Sequence, residues 1–258
     1  MSRSNPTNEI ANPSKRWFEF SGKNGVIKYF DKDKKENVEL KLPFTFIVLD
    51  SLATVKGWND PSDSGIYANE VRDTTKEPLI VKSFKGPQIA EGFYRDIKDK
   101  VAASGGHFVT SMYIAYTEAN IFSIGNIQFK GAALNAWVEF SKANKSAIMK
   151  QAVVITGYTE GKKGAVTFKI PTFALREISP STEETANDLD KELQEYLNSY
   201  FSKKKVVEQA EEMKQQPDAA QELNNAFAEQ VANNNANKDA DPFGQTGLSP
   251  QEVDDLPF

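Results

Sequence analysis

Rings and cations recur side by side along the first part of the chain: Lys15-Arg16-Trp17, Lys28-Tyr29, Lys56-Gly57-Trp58, Tyr67, Arg72, Lys82-Ser83-Phe84-Lys85 and Tyr94-Arg95. A nonspecific binder of single-stranded nucleic acid needs this pairing, because phosphates take up cationic charge and every base offers a π-face for stacking. Trp58 stands in the polar, turn-forming run Lys56-Gly57-Trp58-Asn59-Asp60-Pro61, where burial is difficult to arrange, and it is the first candidate for stacking. Phe18, Phe20, Phe44 and Phe46 read instead as core, since apolar rings fill interiors. Tyr113 and Tyr116, three apart, cannot face the same side of one strand.

Carboxylates offer a different chemistry. Asp31 followed by Glu39-Leu40-Lys41 loosely matches the acidic set of a metal-dependent nuclease, although Phe30 rather than proline precedes Asp31. Gly161-Lys162 is followed by Lys163 instead of Ser or Thr, so no phosphate loop is present. With no cysteine and the single histidine His107, disulfides, thiolate metal sites, a cysteine nucleophile and multi-histidine metal centres are excluded. The expectation is a binding protein, not an enzyme, with no catalytic residues, cofactor or metal.

Charge is divided unevenly along the chain. Residues 1–180 carry 25 Lys and Arg against 19 Asp and Glu, whereas residues 181–258 carry 6 against 17, so a body of +6 precedes a segment of −11. The overall pI near 5.2 hides a basic body that suits a polyanionic partner. The acidic segment ends in Asp254, Asp255, Leu256, Pro257 and Phe258. A basic pocket can hold such carboxylates while an apolar slot takes the terminal ring.

This terminal run closely resembles the acidic, Pro-Phe-ending tip of bacterial single-stranded DNA-binding proteins. The likeness covers about the last six residues; the longer body makes the whole chain look more like a phage-encoded protein of that kind. The resemblance implies a role in DNA replication, recombination and repair, with the tip recruiting partner proteins and Phe258 as its anchor. The acidic segment would compete with DNA for the basic body.

The elements that must position these groups read as mainly β. Trp17-Phe18-Glu19-Phe20, a turn through Gly22 and Gly25, Val26 to Phe30, and the alternating Val38-Glu39-Leu40-Lys41-Leu42 form paired antiparallel strands. Further strands are expected at residues 44–49, 53–58, 65–70, 79–84, 108–117, 121–129, 152–158 and 165–170, the last two joined by a hairpin loop at Gly161-Lys162-Lys163-Gly164. A helix is expected over residues 87–103, where Ile89, Phe93, Ile97 and Val101 recur every four residues, and a second over 132–146, where Trp137-Val138-Glu139-Phe140 reads equally well as strand. Short strands with few helices suggest an OB-like antiparallel barrel.

The organisation that follows is a flexible N-terminus (1–14), an OB-like nucleic-acid-binding domain (15–180), an amphipathic helical segment (181–216) and a flexible acidic tail (217–258). Ser181 to Glu184 fits a capping box, and Leu189, Leu193, Tyr196, Leu197, Tyr200 and Phe201 follow at helical spacing. That stripe either docks on the body or drives homo-oligomer assembly, which gives the alternative of a structural or scaffold protein. No run approaches the roughly 20 apolar residues of a membrane span, and the first residues have no secretory apolar segment, so no membrane partner and a cytoplasmic location are expected, the host cytoplasm for a phage protein.

Overall fold

The computed structural model describes residues 10–202. In chain order the strands are β1 (Trp17–Ser21), β2 (Val26–Asp31), β3 (Glu36–Leu40), β4 (Phe44–Asn59), β5 (Ser64–Ala68), β6 (Leu79–Ser83), β7 (Gln88–Gly92), β8 (Gly106–Glu118), β9 (Ile121–Phe129), β10 (Ala152–Lys163) and β11 (Val166–Arg176). The helices are α1 (Tyr94–Ala103), α2 (Gly131–Ala143), α3 (Lys145–Ile148) and α4 (Pro180–Ser202). One sheet runs β3-β2-β1-β9-β8-β4-β5-β6-β7, with β10 added to β4 and β11 to β10. The β1–β9 ladder is parallel and the others are antiparallel, so the sheet is mixed. No ladder among the described residues joins β3 to β7: the sheet is open, and the closure expected of an OB-like barrel is not seen.

β4 organises the molecule. The apolar runs at 44–49 and 53–58 belong to a single strand of 16 residues, and its register against β8 shifts between Val48 and Asp50. Such an irregularity reverses which alternate residues face each side. Phe44, Phe46 and Val48 before it share a core with Ala53 and Val55 after it, while Ile47, Leu49 and Leu52 face the other way. On the first face α1 contributes Tyr94, Ile97 and Val101 and α2 contributes Leu134, Trp137 and Val138. Trp137 lies 5.8 Å from Phe129 and 5.4 Å from Phe173 between ring centroids.

On the second face α4 seats Ala186, Leu193 and Leu197 against Ile47, Leu49, Leu52, Tyr113, Ala115 and Ile124. The stripe expected to dock or self-associate therefore packs on its own sheet, and the scaffold alternative loses the surface that motivated it. Asn12 Nδ2 donates to the hydroxyls of Tyr113 and Tyr196 at 3.2 Å each and Ser14 is buried, so these two residues lie against the body beside α4, whereas Ile10 and Ala11 are exposed. Residues 1–9, the remainder of the expected helical segment at 203–216, the acidic tail and its tip lie outside the described residues.

Several local expectations change. The helix expected from Pro87 begins at Tyr94, because Gln88–Gly92 pairs with β6 and Gly92 takes a φ of 144°. Ser179, not Ser181, caps α4: its hydroxyl accepts from the Thr182 N–H at 3.2 Å, leaving Pro180 at the first helical position, where its missing N–H costs no helical bond. The last hairpin turns at Gly164-Ala165, as Lys163 already pairs with Val166. Among the described residues no helix is long and apolar enough to cross a membrane.

Candidate nucleic-acid interface

α4 covers only part of the second face. Beyond the β4 irregularity, alternation carries Leu52, Thr54, Lys56 and Trp58 on that face. Lys56 stands opposite Tyr67 on β5 and His107 on β8, and Tyr67 stands opposite Lys82 on β6. Lys82, Tyr67, Lys56 and His107 thus form one row across four neighbouring strands. All four are partly exposed. Phe84 prolongs β6 through its N–H, which donates to the Gly65 carbonyl at 3.0 Å, and its ring stacks on Tyr67 at 4.5 Å with an interplanar angle of 26°.

Trp58 lies two residues along β4 from Lys56. Its partner across β5 is Gly65, and on the other side its N–H donates to the Gly105 carbonyl at 3.3 Å. Glycine therefore stands beside Trp58 on both sides, and the indole is partly exposed. Gly105 takes a φ of 86°, and a Cβ there would lie 2.1 Å from the Trp58 carbonyl oxygen, so this close approach requires glycine.

A second row crosses the sheet: Ser111 on β8, Gln128 on β9, Glu19 on β1, Lys28 on β2 and Glu39 on β3. Glu19 lies 3.5 Å from Lys130 Nζ and 3.7 Å from Lys28 Nζ. Burial alone would raise the Glu19 pKa, but Lys130 and Lys28, with Lys56 behind them, outweigh it and hold the carboxylate ionised. Burial lowers the Lys56 pKa, opposed by Glu70 and Glu19. Glu70 is pushed up by burial even though it accepts from the hydroxyls of Ser111 at 2.5 Å and Tyr113 at 2.8 Å. Its own N–H donates to the Tyr200 hydroxyl at 2.8 Å, so this polar layer joins the end of α4 to the open face.

Lys56, Trp58, Tyr67, Lys82 and Phe84, all expected from the sequence, are brought together here. Lys28 lies on the same face, and so does the exposed Trp17, with Lys32 Nζ 6.0 Å from its ring centroid. Lys85 is exposed in the turn that follows, its N–H bonded to Ser64 Oγ. Lys15 Nζ donates to Ser123 Oγ at 3.1 Å.

The remaining candidates lie elsewhere or are otherwise engaged. Arg16 and Tyr29 belong to the opposite face, the guanidinium 4.7 Å above the ring and 3.6 Å and 3.3 Å from Asp31 and Glu118; with Phe18, Leu40, Lys41, Phe44 and Tyr116 they line a cavity of about 220 Å³. Arg72 is a clamp for α4, 2.8 Å from Asp50 and 5.2 Å above the Phe201 ring. Tyr94 is buried against Phe108, which pushes its hydroxyl up to about 12, and Arg95 is exposed on α1 across the sheet from Trp58. The tip residues Asp254, Asp255, Leu256, Pro257 and Phe258 lie outside the described residues.

Asp31 and Glu39 are on opposite faces: Asp31 follows Ile27 and Tyr29 on the core side, whereas Glu39 faces Lys28. The pairing behind the nuclease reading is therefore not assembled. Asp31 instead accepts the N–H groups of Asp33 and Lys34 and steadies the β2–β3 turn. No group of three or more His, Asp or Glu among the described residues could hold a metal ion.

Sequence reading missed His107, Gln128 and Lys130. His107 and Gln128 become part of the face through register with a strand distant in the chain and Lys130 through its ion pair with Glu19, and no local pattern marks them. In comparisons with known proteins, no family model, no curated protein and no solved structure matches this chain.

Proposed function

We propose that this protein binds single-stranded DNA without sequence preference, through the part of the second face that α4 leaves open. The supporting observation is the juxtaposition of Lys82, Tyr67 and Lys56 in one row with Trp58 and the stacked Phe84 beside it. The lysines supply charge to phosphates, and the rings supply platforms on which bases stack regardless of identity. An open sheet presents such a face as well as an OB-like barrel does, and the reading does not depend on closure.

The likeness of the terminal run to bacterial single-stranded DNA-binding proteins supports a role in replication, recombination and repair. In that role Asp254, Asp255, Leu256, Pro257 and Phe258 capture partner proteins. The acidic tail at 217–258 competes with DNA for the lysines. Titration of oligo-dT at low and high salt, on the full chain and on one lacking residues 239–258, tests the reading. Salt-sensitive binding that tightens on truncation at low salt is expected; no binding by either chain overturns it.

A further inference from the structure

β10 and β11 pair from Ala152 and Arg176 out to Lys163 and Val166, yet only Val153, Val154 and Ile155 also pair with β4. The remainder leaves the sheet as a two-stranded arm, with Thr156, Tyr158, Thr159, Glu160, Lys162 and Lys163 exposed. An isolated hairpin is marginal in water, so an arm of this kind needs support. The β1–β2 turn provides it. Lys169 donates through its N–H to the Gly22 carbonyl at 2.7 Å and through Nζ to the Asn24 carbonyl at 3.0 Å. Gly25 leaves room for the Tyr158 ring, from which a Cβ would lie 2.5 Å away.

Past the irregularity between Ile155 and Gly157, the register places Tyr158, Glu160, Lys162, Thr167 and Lys169 on one side of the arm. Tyr158 is 43% exposed and carries Lys169 Nζ 4.3 Å from its ring centroid, and Lys23 is exposed in the supporting turn. The combination of a reachable ring with cations thus recurs, outvoting the single carboxylate Glu160. The two surfaces are also continuous. Asn24, which holds Lys169, donates to Glu39 at 2.7 Å; Glu39 stands opposite Lys28, and Lys28 pairs with Glu19 on the face.

We propose that the β10–β11 arm is a second contact for the same DNA strand, with Tyr158 stacking a base and Lys162 and Lys23 meeting phosphates. It rests on the single-strand reading above and extends its footprint. From β4, which carries Trp58, to β2 the sheet spans four interstrand spacings, about 19 Å, so only an oligonucleotide long enough to cross that distance meets both contacts.

The test is the full chain against its Tyr158→Ala/Lys162→Glu variant, with oligo-dT probes of about 4 nucleotides, too short to cross from Trp58 to the arm, and about 30 nucleotides, beyond the roughly 4–16 that one such domain covers. Both positions are exposed, and equal melting curves verify the fold. The short probe should bind both proteins alike. The long probe should lose about tenfold or more on the variant, with a shallower salt dependence. Unchanged long-probe affinity overturns the arm and leaves the face reading intact, and equal weakening of both probes overturns this division of the footprint. Failure of the unmodified protein to bind either probe overturns the face reading itself.

Discussion

Replacing Trp58 with alanine isolates stacking from charge. The indole projects from β4 between two glycines, Gly65 across the β5 ladder and Gly105 beside it, so neither residue flanking it across the strands supplies a ring. One ring accounts for one stacked base, worth about 1–3 kcal/mol on truncation to alanine. At about 1.4 kcal/mol per tenfold, the dissociation constant should rise by about fivefold to about 140-fold. Trp58→Phe, which keeps a ring, should lose less. Because the residue is neutral, the slope of log K on log salt should stay unchanged. The assay is anisotropy of a labelled oligo-dT at several salt concentrations, with tryptophan emission followed in parallel. Trp137, only 5% exposed in the core, reports an intact fold in the variant. A folded Trp58→Ala protein with affinity within twofold of the original, or with a clearly flattened salt slope, would refute the reasoning.

Lys82→Ala should do the converse, flattening the salt slope by about 0.7 for one lost phosphate contact while leaving tryptophan quenching in place; an unchanged slope would remove Lys82 from the interface. Burial raises the folded pKa of Glu70 above the ordinary value of 4.5, so its contribution to stability is present below that pH and is lost as pH rises through the folded pKa. Glu70→Gln, which stays neutral, should therefore gain stability relative to the original as pH rises above 4.5, seen as diverging melting temperatures; parallel curves would contradict the shift. Leu193→Ala truncates a side chain with 0% exposure beneath α4 and should cost about 2–5 kcal/mol in denaturant unfolding, whereas a helix held free for assembly would leave unfolding unaffected.

Strand content was legible because period-two alternation is local: the strand expected at residues 121–129 is β9 to the residue. The helix expected over residues 87–103 is present only from Tyr94, and its start was misplaced because a spacing of four is an even number. Ile89 and Phe93 fit a strand as well as a helix, and pairing with β6 decides for β7. The same logic governs the site. Lys56 and Trp58, or Lys82 and Phe84, share a face because they are two apart on one strand. That these pairs meet depends on register between strands, and that Arg16 and Arg72 are committed to Asp31, Glu118 and Asp50 depends on contacts across the fold. Irregularities such as the one between Val48 and Asp50 reverse a face without leaving a mark in composition.

The most direct test is photo-crosslinking of the full chain to an oligo-dT carrying halogenated bases, with the attachment points mapped by peptide mass. The account predicts crosslinks at Trp58 and at the Tyr67–Phe84 stack. Crosslinks confined to the α1 side of the sheet, or spread over the surface with none at these rings, would contradict it.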